Sequence, residues 1–384
     1  MIKRVLIFGY YGCKNTGDDA MIYGLLQGLH NLFPYAQFIV LTSRPIHVPS
    51  ELKSSTKFVD LKVRRVLLET LRSQAIILGG GTHIQDYQGN IRYLKILTRM
   101  FAFFLGCKLL RKKVYLLSIG IGPISTSWGK FLAKLICKLV DYISVRERES
   151  YEVLKSLGLE HKTSLAFDLA ALLQPQSNSN IAQTRDGRKN IIFGVSILPF
   201  FEIYCGNKKK DLLFIHEIAK ELNKWLGEND KRIIRLFVFR GKSKEDDVTI
   251  TKLLYKRLQP TARVELIPYN PNPIKMLSQV ATCDAFIGMR FHSSLFAYLC
   301  DIPLLMIGYH PKCQALAQYI GLPAHAIISI EEILTGAFGK YLNNLSKDPN
   351  KFRANLSTSI ARERAKDSFY GLYSLSNKRI ELQS

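Results

Sequence analysis

Acidic residues are in short supply in this 384-residue chain, where 31 Asp and Glu stand against 54 Lys and Arg for a formal charge of +23. A field of that size recruits polyanions, phosphorylated small molecules or an anionic membrane surface. The 7 Cys are widely scattered, without a CxxC pair or a His partner at metal-ligand spacing. They read as reduced thiols of a cytosolic protein and exclude a disulfide framework or a zinc module. No uninterrupted apolar run approaches the roughly 20 residues of a bilayer span. The nearest stretch, Tyr93 to Leu117, is broken by Lys95, Arg99, Lys108 and the cluster Arg111, Lys112, Lys113, and reads as a helix followed by a strand. The N-terminal run MIKRVLIFGYYG ends in glycines instead of a cleavage site, so it reads as a first β-strand and not a signal peptide.

What is present is a core. With 47% hydrophobic residues and a length above the roughly 250–300 residues that one core sustains, two domains are expected. Strand-like runs such as RVLIFG, FIVLT, AIILGGG, VYLLSIG and YISVR alternate with helical-period segments. The pattern repeats through IIFGVS, RLFVF, VELIPY, AFIGM and PLLMIGY. Alternation of this kind predicts an α/β fold of parallel sheets covered by helices on both faces. The polar stretch Gln174 to Asn190 interrupts it and reads as a linker. The expected organisation is therefore two doubly wound, Rossmann-like halves facing across a crevice. They are an N-terminal domain over residues 1–178, a linker at 179–189, a C-terminal domain over 190–355, and a helical tail at 356–384 that packs back across the first half.

In a parallel sheet, ligands lie beyond the carboxyl ends of the strands. Three strand ends in the first half carry glycine loops: GYYGCKNTGDDA, LGGGTHIQD and SIGIGPIS. Glycine lets the backbone turn sharply and bring N–H groups close to a ligand, and a following helix adds a positive end suited to phosphate or carboxylate. Asn15, Gly17 and Asp18 in the first loop, Gly80, Gly81 and His83 in the second, and Gly120 and Gly122 in the third are the resulting candidates. Each loop taken alone also fits an ordinary strand-to-helix turn, and the first contains neither GxGxxG nor GxxxxGK[ST]. Asp18 or Asp19 reads as a helix cap in preference to a metal ligand. Asn15 fits either a left-handed backbone position or a ligand hydrogen bond.

The second half carries AFIGMRFHSSLFAYLCDIPLLMIGYHPK, Ala285 to Lys312. A short strand ends at Gly288, so Arg290 and His292 reach the mouth of the next helix, where both would face the crevice if the backbone there is extended. Arg suits a bidentate grip on an anion, and His is the residue that exchanges protons near neutral pH. The next strand ends in GYHPK, which brings Tyr309, His310 and Lys312 to the same rim. A His beside an apolar run is also commonly a structural hydrogen-bonder, and His310 equally fits a surface position.

With these residues placed, the chain resembles the polysaccharide pyruvyl transferase family, in order through GYYGCKNTGDDA, GGGTHIQD, IGIGPI, SVRERES, FDLAALL and GMRFHSSLFAYLCDIPLLMIGYHPK. The resemblance implies a glycosyltransferase-B-like pair of domains and transfer of pyruvate from phosphoenolpyruvate onto two hydroxyls of one sugar as a cyclic ketal. Arg290 and His292 match the family's Arg-Leu-His element, with Phe291 in place of Leu. Asn15, Gly17 and Asp18 match its first loop, and Arg146 and Glu147 match its Val-Arg-acidic segment. Where many relatives carry a basic residue after the strand IIFGVS, this chain reads Ile197-Leu198-Pro199-Phe200-Phe201.

The resemblance implies phosphoenolpyruvate as donor substrate, no obligatory metal or nucleotide cofactor, and a saccharide acceptor, lipid-linked or polymeric. His292 is the expected proton carrier and Arg290 the holder of the leaving phosphate, with Lys312 a further cation. The first half is assigned to the acceptor and the second to the donor. A helix over Lys130 to Val140 sets Lys130, Lys134 and Lys138 on one face, which fits peripheral contact with an anionic membrane from the cytoplasmic side. It fits a solvated lysine face as well. A nucleotide-sugar glycosyltransferase of the same fold is the nearest rival, and a non-catalytic binder of anionic glycan is another. Nucleic acid is not an expected partner, because no recognisable module accompanies the charge.

Overall fold

A computed structural model describes residues 2–86, 90–175, 190–242 and 246–375. The linker expected at 179–189 lies outside the described residues. The chain divides into two compact units. Unit 1 comprises Met1–Cys13, Asp18–Leu173 and Ser359–Ser384, and unit 2 comprises Lys14–Gly17 and Gln174–Thr358. Both are doubly wound parallel sheets, so the fold expected from the strand and helix alternation is the fold the chain adopts.

In unit 1 the strands are β1 (Arg4–Phe8), β2 (Gln37–Leu41), β3 (Thr56–Val59), β4 (Ala75–Gly79), β5 (Thr82–Ile84), β6 (Lys113–Ile121), β7 (Tyr142–Val145) and β8 (Thr163–Leu165). Their order is β3-β2-β1-β4-β6-β7-β8, with β5 paired to β6. Side chains alternate across the sheet with period two. Val5, Ile7, Phe38, Val40, Ala75 and Ile77 enter one core, and Leu6, Ile39, Leu41, Ile76 and Leu78 enter the other. In β6 the parity changes at Ser118, whose φ is 53° and where the register with β7 shifts. Before it Val114 and Leu116 face the second core, and after it Ile119 and Ile121 do. The Ser118 hydroxyl donates to the Phe167 carbonyl, and its N–H donates to Ser144 Oγ.

Helix Thr16–Leu32 covers the first core together with the chain's last described segment, whose Phe369 and Leu372 are buried in it. A Cβ at Gly28 would lie 2.1 Å from the Phe369 ring. Ser144 Oγ donates to the Ser368 carbonyl and Tyr142 Oη to the Asp367 carbonyl, which fastens this segment to β7. Helices Val63–Arg72, Ile91–Leu109, Ser127–Leu139 and Arg148–Ser156 cover the second core through Val66, Phe104, Leu132 and Leu154.

Unit 2 contains β9 (Ile191–Ser196), β10 (Arg232–Phe237), β11 (Val264–Ile267), β12 (Ala285–Gly288), β13 (Leu304–Gly308) and β14 (Ile327–Ser329), ordered β11-β10-β9-β12-β13-β14. The direction of winding reverses between β9 and β12. Aromatic pairs fill the core: Phe193 stacks on Trp225 at 4.3 Å, and Phe237 meets Phe286 at 5.4 Å. The open end of a sheet at such a reversal is where α/β folds leave room for a ligand.

Candidate functional site

At that reversal in unit 2, β12 runs through Met289 into helix Phe291–Leu299. Arg290 occupies the N-cap position with φ −68° and ψ 139°, and its carbonyl accepts from the N–H groups of Ser293 and Ser294. That first turn removes the extended backbone on which Arg290 and His292 would have faced the same way. His292 is instead the second residue of the helix, half-buried at its positive end.

The His292 ring lies against Gly17. A Cβ at Gly17 would fall 2.0 Å from Nδ1 of His292, so only glycine leaves the space the imidazole fills. Asn15 fixes this approach. Its Oδ1 accepts from the Gly17 N–H at 3.2 Å, and it bridges to Arg240, while Thr16 N–H donates to the Phe239 carbonyl and Gly241 N–H to the Lys14 carbonyl. Asn15 is therefore the residue that caps helix Thr16–Leu32. Asp18 and Asp19, expected from sequence as the caps, lie inside its first turn, where their charge still complements the dipole.

Arg290 is paired, and its partner escapes sequence reasoning. Its Nη2 and Nε donate to Oδ1 of Asp247 at 2.5 and 3.0 Å, with the carboxylate side chain fully buried and the guanidinium 15% exposed. Asp247 Oδ2 also accepts from the Arg240 N–H at 2.9 Å. Burial raises the Asp247 pKa above the usual carboxylate value, against the opposing pull of Arg290. Burial alone would lower the pKa of Arg290, but the Asp247 carboxylate overrides it and holds the guanidinium charged. The edge of Arg290 expected to grip an anion is thus turned to a carboxylate. The signal for Asp247 was its position between β10 and helix Val248–Arg257, at the same carboxyl edge of the sheet.

After β13, His310 caps helix Pro311–Ile320 by accepting from the Lys312 N–H at 3.2 Å, with Pro311 pre-set in the first turn. Tyr309 stands 5.9 Å from the ring of Phe200 and 6.1 Å from that of Tyr204. Burial, with Cys313 and Tyr204 close by, raises the Tyr309 pKa well above the ordinary phenol value. The segment Ile197 to Phe201, flagged for lacking a basic residue, begins helix Phe200–Cys205 and supplies this aromatic group.

Asn15, Gly17, Arg290, His292, Tyr309, His310 and Lys312 thus all belong to unit 2. The remaining candidates belong to unit 1. Gly80 and Gly81 have φ of 63° and 74°, a left-handed pair that other residues adopt only with strain. His83 Nε2 lies 2.6 Å from the Gly80 carbonyl, and Tyr11 Oη donates to the Gly79 carbonyl at 2.5 Å. A Cβ at Gly120 would meet Glu147 Oε1 and Thr82 Oγ1 at 2.6 Å, and Gly122 sits at the end of β6. Asp86, from the same second loop, clasps the third: its carboxylate accepts from the N–H groups of Ser125 and Thr126 and from the Thr126 hydroxyl, each at 2.7 Å. Arg146, expected to touch substrate, is 5% exposed and bonded to Asp168 at 2.6 Å, with Met21 Sδ at 3.3 Å. Burial works against its charge, and Asp168 and Glu147 more than restore it. Its surroundings are those of an internal ion pair. Among the described residues no group of three or more His, Cys, Asp and Glu is placed to hold a metal ion.

The family model for polysaccharide pyruvyl transferases matches residues 15–311. The amylovoran biosynthesis protein AmsJ of Erwinia amylovora is 22% identical, covering 94% of this chain and 96% of that protein. Among solved structures, the UDP-GlcNAc 2-epimerase of Methanocaldococcus jannaschii has a TM-score of 0.64 at 10% identity, covering 97% of this chain and all of the other. The Anabaena protein Alr3699/HepE, solved with UDP-glucose, has a TM-score of 0.56 at 13% identity over 96% of this chain and 95% of that one. At such identities the structural likeness is one of fold: a glycosyltransferase-B-like fold of two Rossmann-like domains.

Proposed function

The chain belongs to the polysaccharide pyruvyl transferase family, and from that premise we propose that it transfers pyruvate from phosphoenolpyruvate to two hydroxyls of one sugar, forming a cyclic ketal and releasing phosphate. The acceptor is a saccharide of a cell-surface polysaccharide or its lipid-linked precursor, met at the cytoplasmic face of the membrane. The observation that carries the reading is the His292 imidazole seated on Gly17 at the start of helix Phe291–Leu299, beside the buried pair of Arg290 and Asp247.

Ketal formation requires a proton on the methylene carbon of the donor, which leaves cation-like character on the carbon bearing phosphate and carboxylate. One sugar hydroxyl attacks that carbon and loses its proton. The C–O bond to phosphate then breaks, and the second hydroxyl closes the ring with loss of its own proton. His292 is suited to deliver and collect protons, at a helix end that also favours the negative donor. Lys312, whose N–H is fixed by His310, supplies a cation at the neighbouring helix start. Arg290 contributes as a member of a neutralised pair, holding the first turn that carries His292, and no metal or nucleotide is required by this scheme.

The test is calorimetric binding of phosphoenolpyruvate set against a panel of UDP-sugars, combined with turnover on glycan acceptors. Selective binding of phosphoenolpyruvate is expected, weakened in Lys312→Ala. In His292→Ala binding persists while turnover falls on the order of 10²–10⁴-fold. Selective binding of a UDP-sugar would move the protein to glycosyl transfer. Glycan binding without turnover, indifferent to His292, would make it a carbohydrate-binding protein.

A further inference from the structure

Helix Val63–Arg72 is inverted relative to an ordinary surface helix. Its buried residues are Glu69 and Thr70, while Val63, Leu67 and Leu71, spaced four apart on one stripe, are 74%, 55% and 56% exposed. Two neighbours continue the pattern. Helix Ile91–Leu109 exposes Leu105 and Leu109, again four apart, and helix Ser127–Leu139 exposes Trp128 and Phe131, whose rings stack at 5.3 Å. The three form one layer. Val66, Phe101, Phe103 and Leu139 pack them on the same core, the second and third helices lie against each other, and Lys112 Nζ donates to the Leu71 carbonyl at 2.6 Å.

The charge on these helices is heavily positive. The three helices carry ten Lys and Arg and a single acid, Glu69, which is buried on Arg4 at 2.5 Å. Lys130, Lys134 and Lys138 form a stripe of their own on the third helix, and Arg111, Lys112 and Lys113 follow the second. Single exposed apolar residues need no explanation, but apolar stripes set among a large excess of cations do, even with Arg65 paired to Asp60 and Lys108 and Lys113 to Asp141. A soluble polyanion would use the cations and leave the leucines and Trp128 in water. Another protein surface would have to be strongly acidic and apolar at once. A bilayer with anionic headgroups satisfies both features together, taking the side chains to the depth of the acyl boundary and the cations at the phosphates.

We infer that this outer layer of unit 1 is a docking surface for an anionic lipid bilayer. It extends the single lysine-bearing helix seen in the sequence to three helices. It gives the lipid-linked acceptor proposed above a physical place to be met, while its test involves no catalysis.

The intact protein is mixed with vesicles of phosphatidylcholine alone or with a third of phosphatidylglycerol, and both sedimentation and tryptophan emission are read. Of the two tryptophans, Trp225 is buried against Phe193, so a change in emission on binding reports Trp128. Sedimentation with anionic but not neutral vesicles is expected, with a blue shift that Trp128→Phe abolishes. Leu67→Gln with Leu71→Gln, or Phe131→Ser, should lower the bound fraction about tenfold, and so should Lys130→Ser with Lys134→Ser. These positions are exposed, so thermal denaturation is expected to be unchanged. Absence of sedimentation at low salt would overturn the inference, as would sedimentation with Trp128 emission unmoved. Binding to dextran sulfate that survives Leu67→Gln would assign the layer to a polymer, and a dimer dissolved by that substitution would assign it to a second copy of the chain.

Discussion

Gly17 shows how one missing side chain positions another. Its backbone lies within helix Thr16–Leu32, so the requirement is one of space: a methyl group there would displace the His292 ring. Gly17→Ala is expected to lower turnover roughly 100-fold, since a misplacement of about 1 Å at a reacting group has that effect. The thermal midpoint should move little, because alanine favours the helix as much as the contact opposes it. A wild-type rate in the mutant would remove His292 from the chemistry. Arg290 makes the opposite case. Removing one partner of a buried ion pair leaves the other charged in an apolar setting, so Arg290→Ala should lose about 3–5 kcal/mol of stability, measured by urea denaturation. Adding Asp247→Ala should recover part of that loss. If the double variant is no better than the single one, the pair is not coupled as the geometry requires.

Among the elements, the clasp made by Asp86 holds the end of β5 to the loop after β6. Burial alone would raise the Asp86 pKa, but the N–H groups of Ser125 and Thr126 and the Thr126 hydroxyl bring it below the usual carboxylate value. A group with a lowered folded pKa stabilises above its unfolded value of about 3.9, and that contribution disappears as pH falls through the folded value. Asp86→Asn should therefore lose about 1–3 kcal/mol near pH 7, and the gap to wild type should close in paired denaturation curves as pH falls through that lowered folded value. A gap that persists in acid would mean that shape, and not charge, holds the loop. The helix starts teach a related point. Glycine loops at strand ends were legible as spacing, yet the caps were not: Asn15, Arg290 and His310 occupy those positions, and only hydrogen bonds from the following turns reveal it. The expected extended run through Arg290 and His292 fails for the same reason, since Ser293 and Ser294 close a helical turn onto Arg290.

Over the whole molecule, the last described segment completes unit 1 although it follows unit 2 in the chain. Phe369 fills the room left by Gly28, so Phe369→Ala should cost about 3–5 kcal/mol. Hydrogen exchange should quicken in unit 1 and stay unchanged in unit 2; uniform quickening would mean the two fold as one. The sequence alone determined the two parallel sheets, because alternation with period two and the intervening helical period are local properties of the chain. It also determined the shortage of acid and the presence of Arg290, His292 and Lys312 at strand ends. Tertiary structure alone decided what those residues face. Asp247 meets Arg290 from 43 positions away, and Gly17 reaches His292 from the first helix of the chain. The helix Val63–Arg72 turns leucines outward because periodicity shows which residues share a face, and never which face is turned inward. Pairing and exposure depend on neighbours in space, which a linear pattern does not contain.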